Sequence, residues 1–164
     1  MGGGEPEFGP DALAIRHALQ FPPEVVRLET ASGRWNDDTV TTYLRRWARD
    51  APDAIAATAP GYPSLTYAQA LEKSERFAAA LAARGIRRGD VVMVQLPSSP
   101  DFLIAYYAAA RLGAVLSTLH MPYGPVEAEP LLRHARARAV ICGPATEKTD
   151  PPAMYQALLP RLPK

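Results

Sequence analysis

The apolar positions of this chain change period along its length. Val40, Tyr43, Leu44 and Trp47 recur at helical spacing, which predicts a helix from an Asp38 or Thr39 cap to Arg49, ended by Pro52. Two short runs, Ala54–Thr58 and Ser64–Thr66, flank a Pro60-Gly61 turn and read as a hairpin at a sheet edge. Thr66-Tyr67-Ala68-Gln69 is a capping-box sequence, in which hydroxyl and amide satisfy each other's backbone N–H groups. It opens a helix to Arg84 that buries Leu71, Ala78 and Leu81 beside Phe77 and stops at Gly85.

The period then shortens. Val91–Gln95 is an unbroken, β-branched run that predicts a strand buried on both faces. Ser99, Pro100 and Asp101 start a helix that Gly113 ends, with hydroxyl cap, N1 proline and first-turn acid in their preferred places. Ala114–Thr118 reads as a second buried strand, Pro122–Pro125 as a turn and Ala139–Cys142 as a third strand. Between them a helix lies within Val126–Ala135, expected to start late because Pro130 suits only a first turn. Strand, helix, strand, helix, strand with short connections gives an α/β fold: a partial doubly wound, mostly parallel sheet with flanking helices and a short N-terminal hairpin.

Proline divides the chain. Its 17 residues in 164 are roughly twice the usual share, and nine of them fall outside 36–143. Three segments are therefore expected: an irregular lead-in over 1–35 with one helix at Asp11–Gln20 stopped by Pro22 and Pro23, an α/β subdomain over 36–143, and a proline-rich tail over 144–164 with a short helix.

Charge narrows the function classes. Eighteen basic against 17 acidic residues give a net charge of +1, so nucleic acid and anionic membranes are not expected partners. Lysine is confined to Lys73, Lys148 and Lys164, which leaves few cations able to act as tuned amines. A lone cysteine, Cys142, excludes an internal disulfide. No apolar run reaches membrane-spanning length and no signal peptide is visible, so the expected location is cytoplasmic.

Each candidate for chemistry meets a plainer reading. No glycine-rich phosphate cradle is present, and Pro97-Ser98-Ser99-Pro100, although at a strand-to-helix junction, reads as a helix cap beside the repelling Asp101. His17, His120 and His134 have no metal-ligand spacing. His120 and Cys142 end strands, where α/β proteins often place reactive groups, but each reads as a packed residue. Arg84, Arg87 and Arg88 with Arg133, Arg136 and Arg138 lack interleaved aromatics and read as solvated faces beside Glu127 and Glu129.

Six segments taken in order resemble one family. They are Thr39–Ala56, Leu65-Thr66-Tyr67-Ala68, Arg88-Gly89-Asp90-Val91-Val92, Leu96-Pro97 with Pro100-Asp101-Phe102, Arg111–Val115, and Leu119–Tyr123. Together they make Trp35–Gly143 similar to the N-terminal portion of the adenylate-forming acyl-CoA synthetases, the AMP-dependent synthetases and ligases. Ser98 departs from the asparagine often found after Leu-Pro in that family, and the Met121-Pro122-Tyr123 turn is more like the aryl or alicyclic acid ligases than the fatty-acid ones.

The resemblance implies an acid–thiol ligase using ATP, magnesium and coenzyme A in the full-length family. It supplies no catalytic, cofactor-binding or metal-binding residue here, because the family's phosphate loop, metal-associated acid, ribose-binding aspartate and catalytic lysine have no counterpart in this sequence. The expectation is an N-terminal fragment, truncated or split, that binds no cofactor and is inactive alone, with the remainder of the synthetase or a second copy of itself as partner. The alternative is a stand-alone α/β module that binds a partner without catalysis.

Overall fold

The computed structural model describes residues 21–162, so the helix expected over Asp11–Gln20, together with His17, lies outside the described residues. In chain order the elements are α1 (Pro23–Ala31), α2 (Val40–Asp50), β1 (Ile55–Ala57), β2 (Leu65–Thr66), α3 (Tyr67–Ala83), β3 (Val91–Gln95), α4 (Pro100–Leu112), β4 (Val115–Thr118), α5 (Pro125–His134), β5 (Ala139–Cys142), α6 (Pro151–Leu158) and a closing 3₁₀ turn (Leu159–Arg161). β1 and β2 pair antiparallel, and a separate parallel sheet has the order β4-β3-β5.

Every residue of β3 is buried, as its apolar run requires, and successive side chains serve opposite faces. Val91 and Met93 join a core with Leu119, Ala128, Leu132, Tyr155 and Leu158, whereas Val92 and Val94 join Ala78, Leu81, Ile86 and Ala108. Helices α5 and α6 therefore cover one face and α3 and α4 the other, which is double winding. Full burial of a side chain such as Val92 or Leu132 contributes roughly 1.5–3 kcal/mol. α3 and α4 approach through small residues, Ala70, Ser74 and Ala78 on one and Ala105, Ala108 and Ala109 on the other. A third cluster of Leu44, Leu65 and Ala70 ties α2 and the hairpin to this layer.

The terminators act as local chemistry dictates. The Thr66 hydroxyl accepts from Gln69 N–H at 3.3 Å while Gln69 Oε1 accepts from Thr66 N–H at 3.1 Å. Ser99 Oγ accepts from Phe102 N–H at 3.4 Å, and Gly113 closes α4 at φ 68°, a left-handed conformation that favours glycine.

Pro22 caps α1 and Pro23 occupies its first turn, where a missing N–H has no partner to lose; the helix they were expected to stop lies outside the described residues. Two expectations need correction, one of them through proline. Pro130 does not delay α5, which starts at Pro125 and carries Pro130 inside it. Both Pro130 and Val126, whose carbonyl loses its donor, lie on the exposed face, where water takes the donor's place. The short helix expected in the tail is α6, where Asp150 Oδ1 accepts from Ala153 N–H at 3.0 Å and Tyr155 and Leu158 enter the core. Finally, β4 is an edge strand with Val115 and Thr118 exposed, because no strand pairs with its outer side among the described residues.

Candidate functional site

The central strand ends on a polar residue, and the C-terminal end of the sheet is organised around it. Gln95 closes the apolar run Val91–Val94 with only 3% of its surface exposed. An amide so placed must find partners inside the protein. Its Nε2 donates to the carbonyls of His120 at 2.9 Å and Tyr123 at 3.0 Å, with Met121 at 3.4 Å. Its Oε1 accepts from the Tyr155 hydroxyl at 2.6 Å. One side chain thus holds the β4–α5 loop and α6 to the end of β3. Tyr123 N–H donates to the His120 carbonyl at 3.0 Å, closing that loop as a turn.

A cleft of about 590 Å³ opens beside this node between the loop and α6, with Gln95, Met121, Tyr123, Met154, Leu158 and Arg161 among its walls. It lies where ligands enter open α/β sheets, outside the strand C-termini, and its size is that of small-molecule sites. The far lip is fixed by charge: Glu129 faces Arg133 at 3.1 Å and Arg161 at 3.5 Å, while Arg133 also donates to the Arg161 carbonyl at 2.8 Å.

The reactive groups nearby are quiet ones. Burial, reinforced by neighbouring Cys142, pushes the Tyr155 phenol up to about 12, so it stays a hydrogen-bond donor at neutral pH. Burial, with the Asp150 carboxylate as a second cause, likewise raises the Cys142 thiol. That is the opposite of what an activated thiolate needs. Ser99 is occupied as the α4 cap and Asp150 as the α6 cap.

Other sequence candidates separate on the fold. His120 is exposed at the end of β4, its ring centroid 5.7 Å from that of Tyr123, and His134 is exposed at the end of α5. Among the described residues, no group of three or more His, Cys, Asp or Glu side chains is placed to hold a metal ion. Of the arginines, Arg133 is on the cleft's far lip, whereas Arg84, Arg87, Arg88, Arg136 and Arg138 lie at the sheet's opposite end, just before β3 and β5, where Arg84 donates to the Ala80 carbonyl at 3.0 Å. None of the described helices is long and apolar enough to cross a membrane.

Sequence reasoning missed Gln95 and Tyr155. The available signal was a polar residue ending an otherwise apolar strand, together with a tyrosine on the apolar face of the tail helix.

A doubly wound α/β domain with its cleft at the strand C-termini defines the class. The AMP-binding enzyme family model matches residues 44–164, and the chain belongs to that family. The match carries the likeness seen over Trp35–Gly143 through α6, so the tail shares it.

Among its relatives, the salicyl-AMP ligase / salicyl-S-ArCP synthetase of Mycobacterium tuberculosis is 37% identical over 101 residues, covering 59% of this chain and 18% of the relative. The medium-chain fatty-acid–CoA ligase of Escherichia coli is 27% identical over 163 residues, covering 97% of this chain and 29% of the relative. The apo structure of Mycobacterium smegmatis MbtA superposes with a TM-score of 0.72 at 30% identity, covering 85% of this chain and 25% of that one. The chain thus spans less than a third of the length of each of these proteins.

Proposed function

We propose that this chain supplies the N-terminal part of an acid-activating ligase. In the whole enzyme a carboxylate oxygen attacks the α-phosphorus of ATP and pyrophosphate leaves. A thiol such as that of coenzyme A then attacks the acyl carbon, and AMP leaves. The observation that carries this reading is the family match over residues 44–164, supported by relatives that are ligases for salicylate and for medium-chain fatty acids.

We infer further that the 164 residues do not perform the first step alone. Stabilising charge on a transferring phosphate needs preorganised donors and cations converging on it. What supports this is the lack of a glycine-rich phosphate cradle in the sequence, and a strand-to-helix junction before α4 whose Phe102 N–H is engaged by Ser99 and which carries Asp101. The role left to this segment is architectural: it forms one doubly wound layer on which the remainder of the ligase would complete its sites.

Trapping with hydroxylamine tests this reading. The purified chain, given ATP, magnesium and a panel of aryl and aliphatic acids, is expected to yield no acyl hydroxamate above background. Sustained hydroxamate formation dependent on one of those acids would overturn it.

One observation favours a second reading, a module that folds and binds a partner unaided. Among the described residues no buried side-chain nitrogen or oxygen lacks a hydrogen-bond partner. This reading expects a single cooperative melting transition, and gradual, non-cooperative loss of structure would remove it.

A further inference from the structure

We infer that α6 is a gate on the cleft beside Gln95: the helix and its closing 3₁₀ turn detach as a unit, hinging at residues 143–145, while the sheet and the helices on its other face stay closed. The motion breaks and makes contacts among the described residues alone, and it holds whether or not the chain is part of a ligase.

α6 is fastened to one of the three apolar clusters. Tyr155 and Leu158 are the residues it buries, and both enter the cluster of Val91, Met93, Leu119, Ala128 and Leu132. The clusters around Val92 and Val94 and around Leu44 and Leu65 contain no residue of α6. Departure of α6 therefore bares one patch of core and leaves the rest packed, which is the condition for an opening smaller than global unfolding.

Two polar ties complete the fastening. The Tyr155 hydroxyl donates to Gln95 Oε1 at 2.6 Å inside the protein. Arg161 faces Glu129 at 3.5 Å and its carbonyl accepts from Arg133 at 2.8 Å, but its side chain is 63% exposed, where an ion pair adds little. The buried tie is the latch.

The connection leaves the tail free to part from the body. Residues 144–150 are exposed. Within them Thr146 N–H donates to the Thr149 carbonyl at 2.7 Å and Thr149 N–H to Thr146 Oγ1 at 3.1 Å, and Asp150 Oδ1 caps Ala153 N–H from the same segment. These bonds lie inside the moving part, so detachment breaks none of them. The fixed side ends at Gly143, whose N–H donates to the Gln95 carbonyl at 3.3 Å.

What moves is one wall of the cleft. α6 contributes Pro151, Met154, Ala157 and Leu158, and the β4–α5 loop contributes Met121 and Tyr123. Gln95 Nε2 keeps its hold on the loop carbonyls of His120 and Tyr123 when Oε1 loses Tyr155. Opening therefore widens the cleft from the α6 side, and the open population sets how readily a molecule enters.

Native-state hydrogen exchange of the 164-residue chain, resolved by residue, tests this. A detached helix of eight residues is too short to persist in water, so its amides exchange once the gate opens. Amides of Tyr155–Leu158 are expected to exchange about tenfold or more faster than those of Val92–Val94. Their exchange is expected to depend weakly on sub-denaturing urea, because little surface is exposed when α6 leaves, whereas exchange in β3 depends steeply on it. Leu81→Ala weakens a cluster that α6 does not enter, so it is expected to speed β3 exchange and leave α6 exchange unchanged. Tyr155→Phe removes the latch and is expected to speed α6 exchange by about tenfold. The urea series on the wild-type chain keeps the test open should a variant fail to fold. One rate and one urea slope shared by α6 and β3, equal acceleration of both by Leu81→Ala, or wild-type α6 exchange in Tyr155→Phe overturns the proposal.

Discussion

The Tyr155 hydroxyl donates to Gln95 Oε1 at 2.6 Å, joining residues sixty positions apart and tying the tail helix to the central strand. Because Gln95 spends its amide protons on the loop carbonyls of His120 and Tyr123, this single contact links three elements: β3, the β4–α5 loop and α6.

Tyr155→Phe removes the hydroxyl and keeps the ring, leaving a buried acceptor unpaired. The expected loss is about 1–3 kcal/mol in urea unfolding. A high-pH series adds a sign. The folded phenol titrates near 12, above its ordinary value of 10, so between those values the unfolded chain ionises first and stability falls as pH rises. The contribution is complete below pH 10, and Tyr155→Phe is expected to flatten this alkaline decline. Equal slopes in the two proteins would remove Tyr155 as its source.

Cys142 is expected to react slowly with a thiol reagent at neutral pH. Its half-buried thiol is raised first by burial and then by the Asp150 carboxylate, which keeps the thiolate fraction low. Asp150→Asn is expected to speed the reaction, measured against an unfolded control. A rate equal to that of the unfolded chain would contradict the burial argument.

Pro130→Ala is expected to stabilise the protein by about 1–3 kcal/mol. A proline inside a helix loses one hydrogen bond and crowds the preceding turn. Its exposed position in α5 leaves room for the alanine N–H to restore the bond to Val126. Thermal melting checks this, and an unchanged or lower midpoint would contradict it.

The sheet was legible in the sequence because each of its strands is a short apolar run bounded by glycine, proline or a cap. Val91–Gln95 and the Thr66–Gln69 box needed only local chemistry, and both stand as read. Prolines were harder, since the same residue ends one helix and begins another. The roles of Pro22 and Pro23 depend on the helical residues C-terminal to them, and that of Pro130 on which side of α5 faces water.

The cleft was not legible, because Gln95, Tyr123 and Tyr155 meet only after the chain has crossed the sheet twice. Nor was the edge position of β4, because the apolar Ala114-Val115-Leu116 run that leads into it reads locally like the start of a buried strand. Periodicity reports how much of a residue is apolar, and strand order depends on contacts that no local window contains.

The most direct measurement on the central claim is carboxylate-dependent exchange of labelled pyrophosphate into ATP by the purified 164-residue chain, with a full-length ligase of the same family run in parallel. The predicted result is exchange by the full-length enzyme and none above background by this chain, with salicylate and medium-chain fatty acids among the carboxylates offered. Exchange by the chain alone that follows the identity and concentration of one carboxylate would contradict it.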